Sequence, residues 1–166
     1  MKEQVTINSL EFAQKSREIH GTIAPRDFGR LGDVLFSGDG KLDYQLQGDI
    51  NAQGKPEIRV RVQGELNLVC QRCTGLLKHV LDTEVHFVIV PSEDMMPAPD
   101  EETDDVDYLL ADPKLDVLSL VEDEILLGLP MAPLHETAEC GSNAAAAKEQ
   151  KESPFKVLQG LKFEKR

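Results

Sequence analysis

Cys70-Gln71-Arg72-Cys73 is the one compact reactive motif in the chain. Two thiolates separated by two residues suit a single metal ion, because a tight turn brings both sulfurs within coordinating distance. They supply two ligands of four. His135 and Cys140, five positions apart, would complete a Cys3His set suited to zinc if the end of the chain folds back over that turn. No spacing rule joins the two pairs, since 62 positions separate Cys73 from His135. The competing reading is a buried hairpin end with a free thiol at Cys140. Redox exchange is the weaker alternative, because a thioredoxin-like pair is activated at a helix N-terminus and this pair is expected between two strands.

The other polar groups form no catalytic set. His79 and His86 lie in one apolar-alternating stretch with no serine nucleophile in view, no glycine-rich phosphate loop occurs, and the acidic run near Asp104 lacks the glycine and spacing of a calcium loop. The chain is therefore expected to bind macromolecules rather than catalyse, with no small-molecule substrate. Glu124 stands apart, because its helical angle puts a carboxylate inside an apolar arc. It must meet either a base or a partner.

The elements that would position these residues follow from periodicity. Leu42, Tyr44, Leu46 and Ile50 alternate with polar residues, Asn51 to Pro56 forms a turn, and Ile58, Val60, Val62, Leu66, Leu68 and Cys70 keep one phase of a second strand. A third run, 77–90, places Leu81, Val85, Phe87 and Ile89 on one face. An antiparallel β-meander results. Asp116 is an N-cap for a helix running to Leu129, with Val117, Leu118, Val121, Ile125 and Gly128 toward the sheet and Ser119, Glu122 and Asp123 opposite. Upstream, Asn8 and Glu11 have capping-box spacing for a short helix reaching about Ile19, and Pro25 opens a second around Phe28 and Leu31. The fold class is α+β: a meander packed against one main helix, with short N-terminal helices. Residues 1–135 form a single domain with a mobile acidic loop at 92–107, and residues 136–166 form a flexible tail with a short terminal helix at 154–162.

Composition limits the setting. Hydrophobic residues make up 40% of the 166, enough for one core, and nowhere do 18 apolar residues run together. The first residues do not resemble a signal peptide, and an odd count of three cysteines does not suit a disulfide framework, so a cytoplasmic location without membrane contact is expected. The net charge of −12 repels polyanions at long range. Eight acidic residues lie between Glu93 and Asp107, and removing them leaves −4, while 148–166 carries +3. Binding led by phosphate must therefore come from a local patch, for which Arg59, Arg61, Arg72 and Lys78 are the candidates. The alternative is a solvated face on which these arginines pair with acidic neighbours.

Two stretches in this order, LNLVCQRCTGLLKHVL (66–81) and LDVLSLVEDEILLGLPMAPLH (115–135) followed by Cys140, resemble the YceD family of large ribosomal RNA subunit accumulation proteins; the terminal PFKVLQGLK is similar to that family's ending. The resemblance implies a factor without catalytic activity, required for synthesis, processing or stability of the large-subunit (23S) ribosomal RNA. Its motif residues fall on Cys70, Arg72, Cys73, Glu122, Asp123, Glu124, Pro130, Pro133, His135 and Cys140. Partner contacts are thus expected from Arg59, Arg61 and Arg72 or from Glu122, Asp123 and Glu124. The partner would be the large-subunit precursor, through its RNA or through a basic ribosomal protein, and the acidic balance favours the latter. The rival class is a zinc-binding or thiol-based module.

Overall fold

The computed structural model describes residues 5–97, 106–136 and 140. The three alternating stretches become β4 (Leu42–Ile50), β5 (Pro56–Val69) and β6 (Leu76–Val90), paired in antiparallel register through Leu46↔Val60↔Val85. Asn51 makes the first reversal, its side-chain oxygen accepting the amides of Gln53 and Lys55. One phase of each strand is sealed: Leu42 and Leu46, Ile58 to Leu68, then Leu81, Phe87 and Ile89. The other phase is mostly polar, except where Val88 and Val90 are buried at the end of β6, so over most of its length the sheet has one dry face and one wet face.

The meander is the centre of a wider sheet. Among the described residues it has six strands, with β2 (Glu18–Ile23) antiparallel to β4, β3 (Leu35–Ser37) against the end of β5, and β7 (Asp107–Leu110) parallel to β6. A separate pair joins β1 (Thr6–Ile7) to β8 (Leu115–Asp116) and ties the N-terminal stretch to the start of the main helix. The class is α+β.

Two helices cover the dry face. Helix α1 (Ser9–Gln14) is capped as its sequence predicts, with Asn8 Oδ1 accepting the Glu11 amide at 3.1 Å. It is shorter than expected: the backbone turns left-handed at Ser16 (φ 46°), and residues 18–23 form a strand instead of continuing the helix to Ile19. In place of a second helix, two single 3-10 turns occupy Pro25–Asp27 and Leu31–Asp33. Gly48 falls on the dry phase of β4 because α1 passes so closely there that a Cβ would stand 2.5 Å from the Phe12 carbonyl oxygen.

Helix α2 (Val117–Gly128) begins at Asp116, whose carboxylate accepts the amides of Leu118 and Ser119, and it ends before Pro130. Val117, Val121 and Ile125 are fully buried against the sheet, and at Gly128 the helix lies on Thr83. The expected 92–107 loop is partly structured at its edges, by a 3-10 turn at Glu93–Met95 and by the start of β7 at Asp107. Its centre at 98–105, and the expected terminal helix at 154–162, lie outside the described residues. Among the described residues no helix is long and apolar enough to cross a membrane.

Candidate metal centre and its surroundings

Strand β5 delivers Cys70 fully buried at its end, and the following turn closes on it: the Thr74 amide donates to the Cys70 carbonyl at 2.9 Å and the Cys70 amide to Gly75 at 3.0 Å. Thr74 adopts a left-handed backbone (φ 59°), which curls the chain around the two sulfurs. Beyond α2, Pro130 stops the helix, and the next residues reach back to this turn. The Gln71 amide donates to the Pro133 carbonyl at 2.9 Å, and Arg72 Nη2 donates to the His135 carbonyl at 3.1 Å. The 62-residue gap is thereby closed by the fold.

Four ligand atoms converge. Cys70 Sγ and Cys140 Sγ are 3.5 Å apart, as are Cys73 Sγ and His135 Nδ1, and the ligand atoms of all four residues lie within 4.8 Å of one another. His135 Nε2 sits 2.8 Å from the Leu76 carbonyl, which can only accept, so Nε2 carries the hydrogen and Nδ1 is left facing the sulfurs. This orientation by an outer carbonyl is the usual support of a metal-ligating imidazole. Burial pushes the Cys70 thiol up, but the backbone amides of Cys73, Arg72 and His135, helped by Cys140, outweigh it and bring the thiol down to about 5. The Arg72 guanidinium holds the Cys140 thiol below its usual range. The Gly75 amide favours the Cys73 thiolate, yet burial and the two neighbouring thiols win and raise Cys73. Three sulfurs and one imidazole nitrogen, two sulfurs already disposed to lose their protons, form a donor set of the kind that holds structural zinc. Cys140, which the sequence assigns to the tail, is part of this cluster.

The remaining sequence-predicted residues divide into two groups. Arg59 and Arg61 lie on the wet face of β5, where each faces Glu84 on β6, with Glu57 beside Arg59 and Asp82 beside Arg61 at 3.4–3.9 Å. Glu57 and Glu84 also flank His86. Arg72 is engaged at the cysteine–histidine cluster, by the His135 carbonyl and Cys140. Glu122, expected on the solvent side of α2, is buried: its carboxylate accepts the amides of Arg30 at 2.6 Å and Leu31 at 3.1 Å and faces Arg30 Nε, while Asp123 takes Arg30 Nη1. Nothing near Arg30 in the chain marks it as a clamp.

Glu124 is 8% exposed, with no hydrogen bond or ion pair to any described residue. Burial, then the charges of Asp107 and Asp123, push its carboxyl up to about 7. An acid raised in the folded state binds its proton more tightly there than in the unfolded chain, so stability falls as pH rises from the unfolded value near 4.5 through 7. Glu124→Gln should therefore melt like the wild type near pH 5 and be more stable at pH 8, by about 2 kcal/mol after discounting the shift for partial wetting of the carboxyl. Melting curves at both pH values test this, and a variant less stable than wild type at pH 8 would refute it.

The family model of the large ribosomal RNA subunit accumulation protein YceD matches residues 58–162, a span that holds all but the first two residues of β5, the whole of β6 and α2, and all four cluster residues. The large ribosomal RNA subunit accumulation protein YceD of Haemophilus influenzae is 25% identical over 173 aligned positions, covering 98% of this chain and 97% of that protein. No solved structure matches the chain. With its family model matching well over half of its length, the chain belongs to the YceD family of large ribosomal RNA subunit accumulation proteins.

Proposed function

We propose that this protein is a non-enzymatic factor in the accumulation of large-subunit ribosomal RNA, acting by binding a component of the large-subunit precursor. The observation that carries the reading is the family match, which runs through the cysteine turn and α2 together. In this reading Cys70, Cys73, His135 and Cys140 hold one zinc ion. Its chemistry is structural: four protein ligands leave no open position for water or substrate, and the ion fastens the segment after α2 to the β5–β6 turn.

Charge supports a basic ribosomal protein over naked RNA as the direct partner. The chain carries −12, and Arg59 and Arg61, its best candidates for phosphate, already face Glu57, Asp82 and Glu84. Exposed pairs of this kind contribute little to stability, but they must be broken before either guanidinium serves a phosphate. The function is tested by depletion in the living cell. Mature large-subunit RNA and free large subunits should fall more than their small-subunit counterparts in sedimentation profiles, and equal loss of both, or of neither, would overturn the proposal.

A further inference from the structure

On α2, Glu124 and Leu127 are one turn apart, so their side chains are neighbours on the helix surface, and Asp123, four positions before Leu127, acts on Glu124 by its charge. Leu127 is 78% exposed, and Met131, just beyond the helix end, is fully exposed. Both are large apolar groups left in solvent. Asp107, at the start of β7, stands close enough to act on Glu124 by its charge. Among the described residues neither Glu124 nor Asp107 has an ion-pair partner, and the nearest cation to Asp123, Arg30, is committed to Glu122, Asp123 and the Ser119 carbonyl. An unpaired carboxyl on a buried residue, near a second carboxylate and beside an exposed leucine, is a costly arrangement for an isolated chain.

An incoming cation removes that cost. We propose that the surface of α2 around Glu124 and Leu127, together with Asp107, is the docking site for a basic protein segment that presents an arginine or lysine beside an apolar side chain. This rests on the binding function proposed above and names its partner's chemistry. A guanidinium meets two carboxylates with charge-assisted hydrogen bonds, and Leu127 supplies the apolar contact that excludes water beside them. The same surface rejects RNA, since Glu124, Asp107 and Asp123 bring negative charge toward phosphate. The rise of the Glu124 carboxyl toward neutrality agrees with this, because a docked cation would restore its ordinary ionised form.

The test uses the full-length protein, titrated against individually purified large-subunit ribosomal proteins and, separately, against protein-free large-subunit RNA. At least one basic protein should bind the wild type. Leu127→Asp, at an exposed position that does not threaten folding, and Glu124→Lys should each weaken that binding at least tenfold, while Glu65→Lys, on the wet face of β5, should leave it unchanged. A photoreactive residue in place of Leu127 should crosslink to the bound protein. Wild-type affinity in both Leu127→Asp and Glu124→Lys, loss of RNA binding instead of protein binding, or crosslinking to residues 148–166 of the same chain would each overturn the assignment alone. Failure of the wild type to bind any large-subunit component would overturn the assignment and the proposed function together.

Discussion

Chelator treatment of the purified protein should lower its melting temperature by about 10–15 °C without abolishing the sheet, if Cys70, Cys73, His135 and Cys140 hold zinc as proposed. A ligand that binds only the folded chain stabilises it by about 4 kcal/mol when its free concentration is a thousandfold above Kd, and in a domain of this size each kcal/mol shifts melting by roughly 3 °C. The loss should stop short of complete unfolding, because the core from Leu42 to Ile125 is built of apolar contacts in which the four ligands take little part. A small zinc module whose whole fold depends on the ion would instead unfold. Cys73→Ser and His135→Ala should reproduce the chelated melting curve and make it insensitive to chelator. Elemental analysis of protein purified without chelator should find one zinc per chain, and chelation should release thiols at Cys70, Cys73 and Cys140 to a thiol reagent. Less than about a tenth of an equivalent of zinc, with all three thiols titrating freely from the start, would dismiss the metal centre.

The residue types of that centre were legible in the sequence, whereas the contact between its two halves was not. Cys70 and Cys73 announce a turn by their spacing, but His135 and Cys140 reach it only because β6 runs away from the turn, α2 returns across the dry face, and Pro130 ends the helix in time for Pro133 to meet Gln71. Such closure is a property of tertiary packing that no local spacing encodes. The strands of the meander were legible because one dry face imposes a period of two on residues 42–90. Residues 18–23 carry the same period, with Ile19, Gly21 and Ile23 inward, yet the capping signal at Asn8 predicts a helix reaching about Ile19, into the start of that strand. Ser16 in a left-handed conformation ends that helix, and serine gives little warning of it.

Glu122 shows a different limit. A helical wheel assumes one packing partner, and α2 has two: the sheet on one side, and on another the segment around Arg30 and Leu31. A carboxylate on what looked like the solvent side thus became a cap for two backbone amides. Asp123, beside it, stays more exposed and grips the same arginine from outside.

Glu122→Ala should cost about 3 kcal/mol, close to 10 °C of melting temperature, because it removes the acceptor of two amides and leaves a guanidinium without its inner partner. The Leu31 amide belongs to a residue with no exposed surface, so water cannot readily replace the lost bond. Glu122→Gln should fall between the two, since its carbonyl oxygen still accepts an amide while the charge is gone. Arg30→Ala should cost less than Glu122→Ala, because Arg30 is largely exposed and Glu122 keeps its two amides. The pH dependence gives an independent reading. Burial pushes the Glu122 carboxyl up, but the amides of Arg30 and Leu31 and the guanidinium outweigh it and hold the carboxyl below its ordinary value of 4.5. An acid depressed in the folded state stabilises the protein above its unfolded pKa, and that contribution is lost as pH falls through the folded value. The gap between wild type and Glu122→Gln should therefore be widest at neutral pH and shrink as pH falls below the ordinary value of 4.5 and through the lower folded one. A Glu122→Ala protein that melts within two or three degrees of wild type at pH 7, or a gap that stays constant down to pH 3, would show that the clamp on residues 30 and 31 holds nothing together.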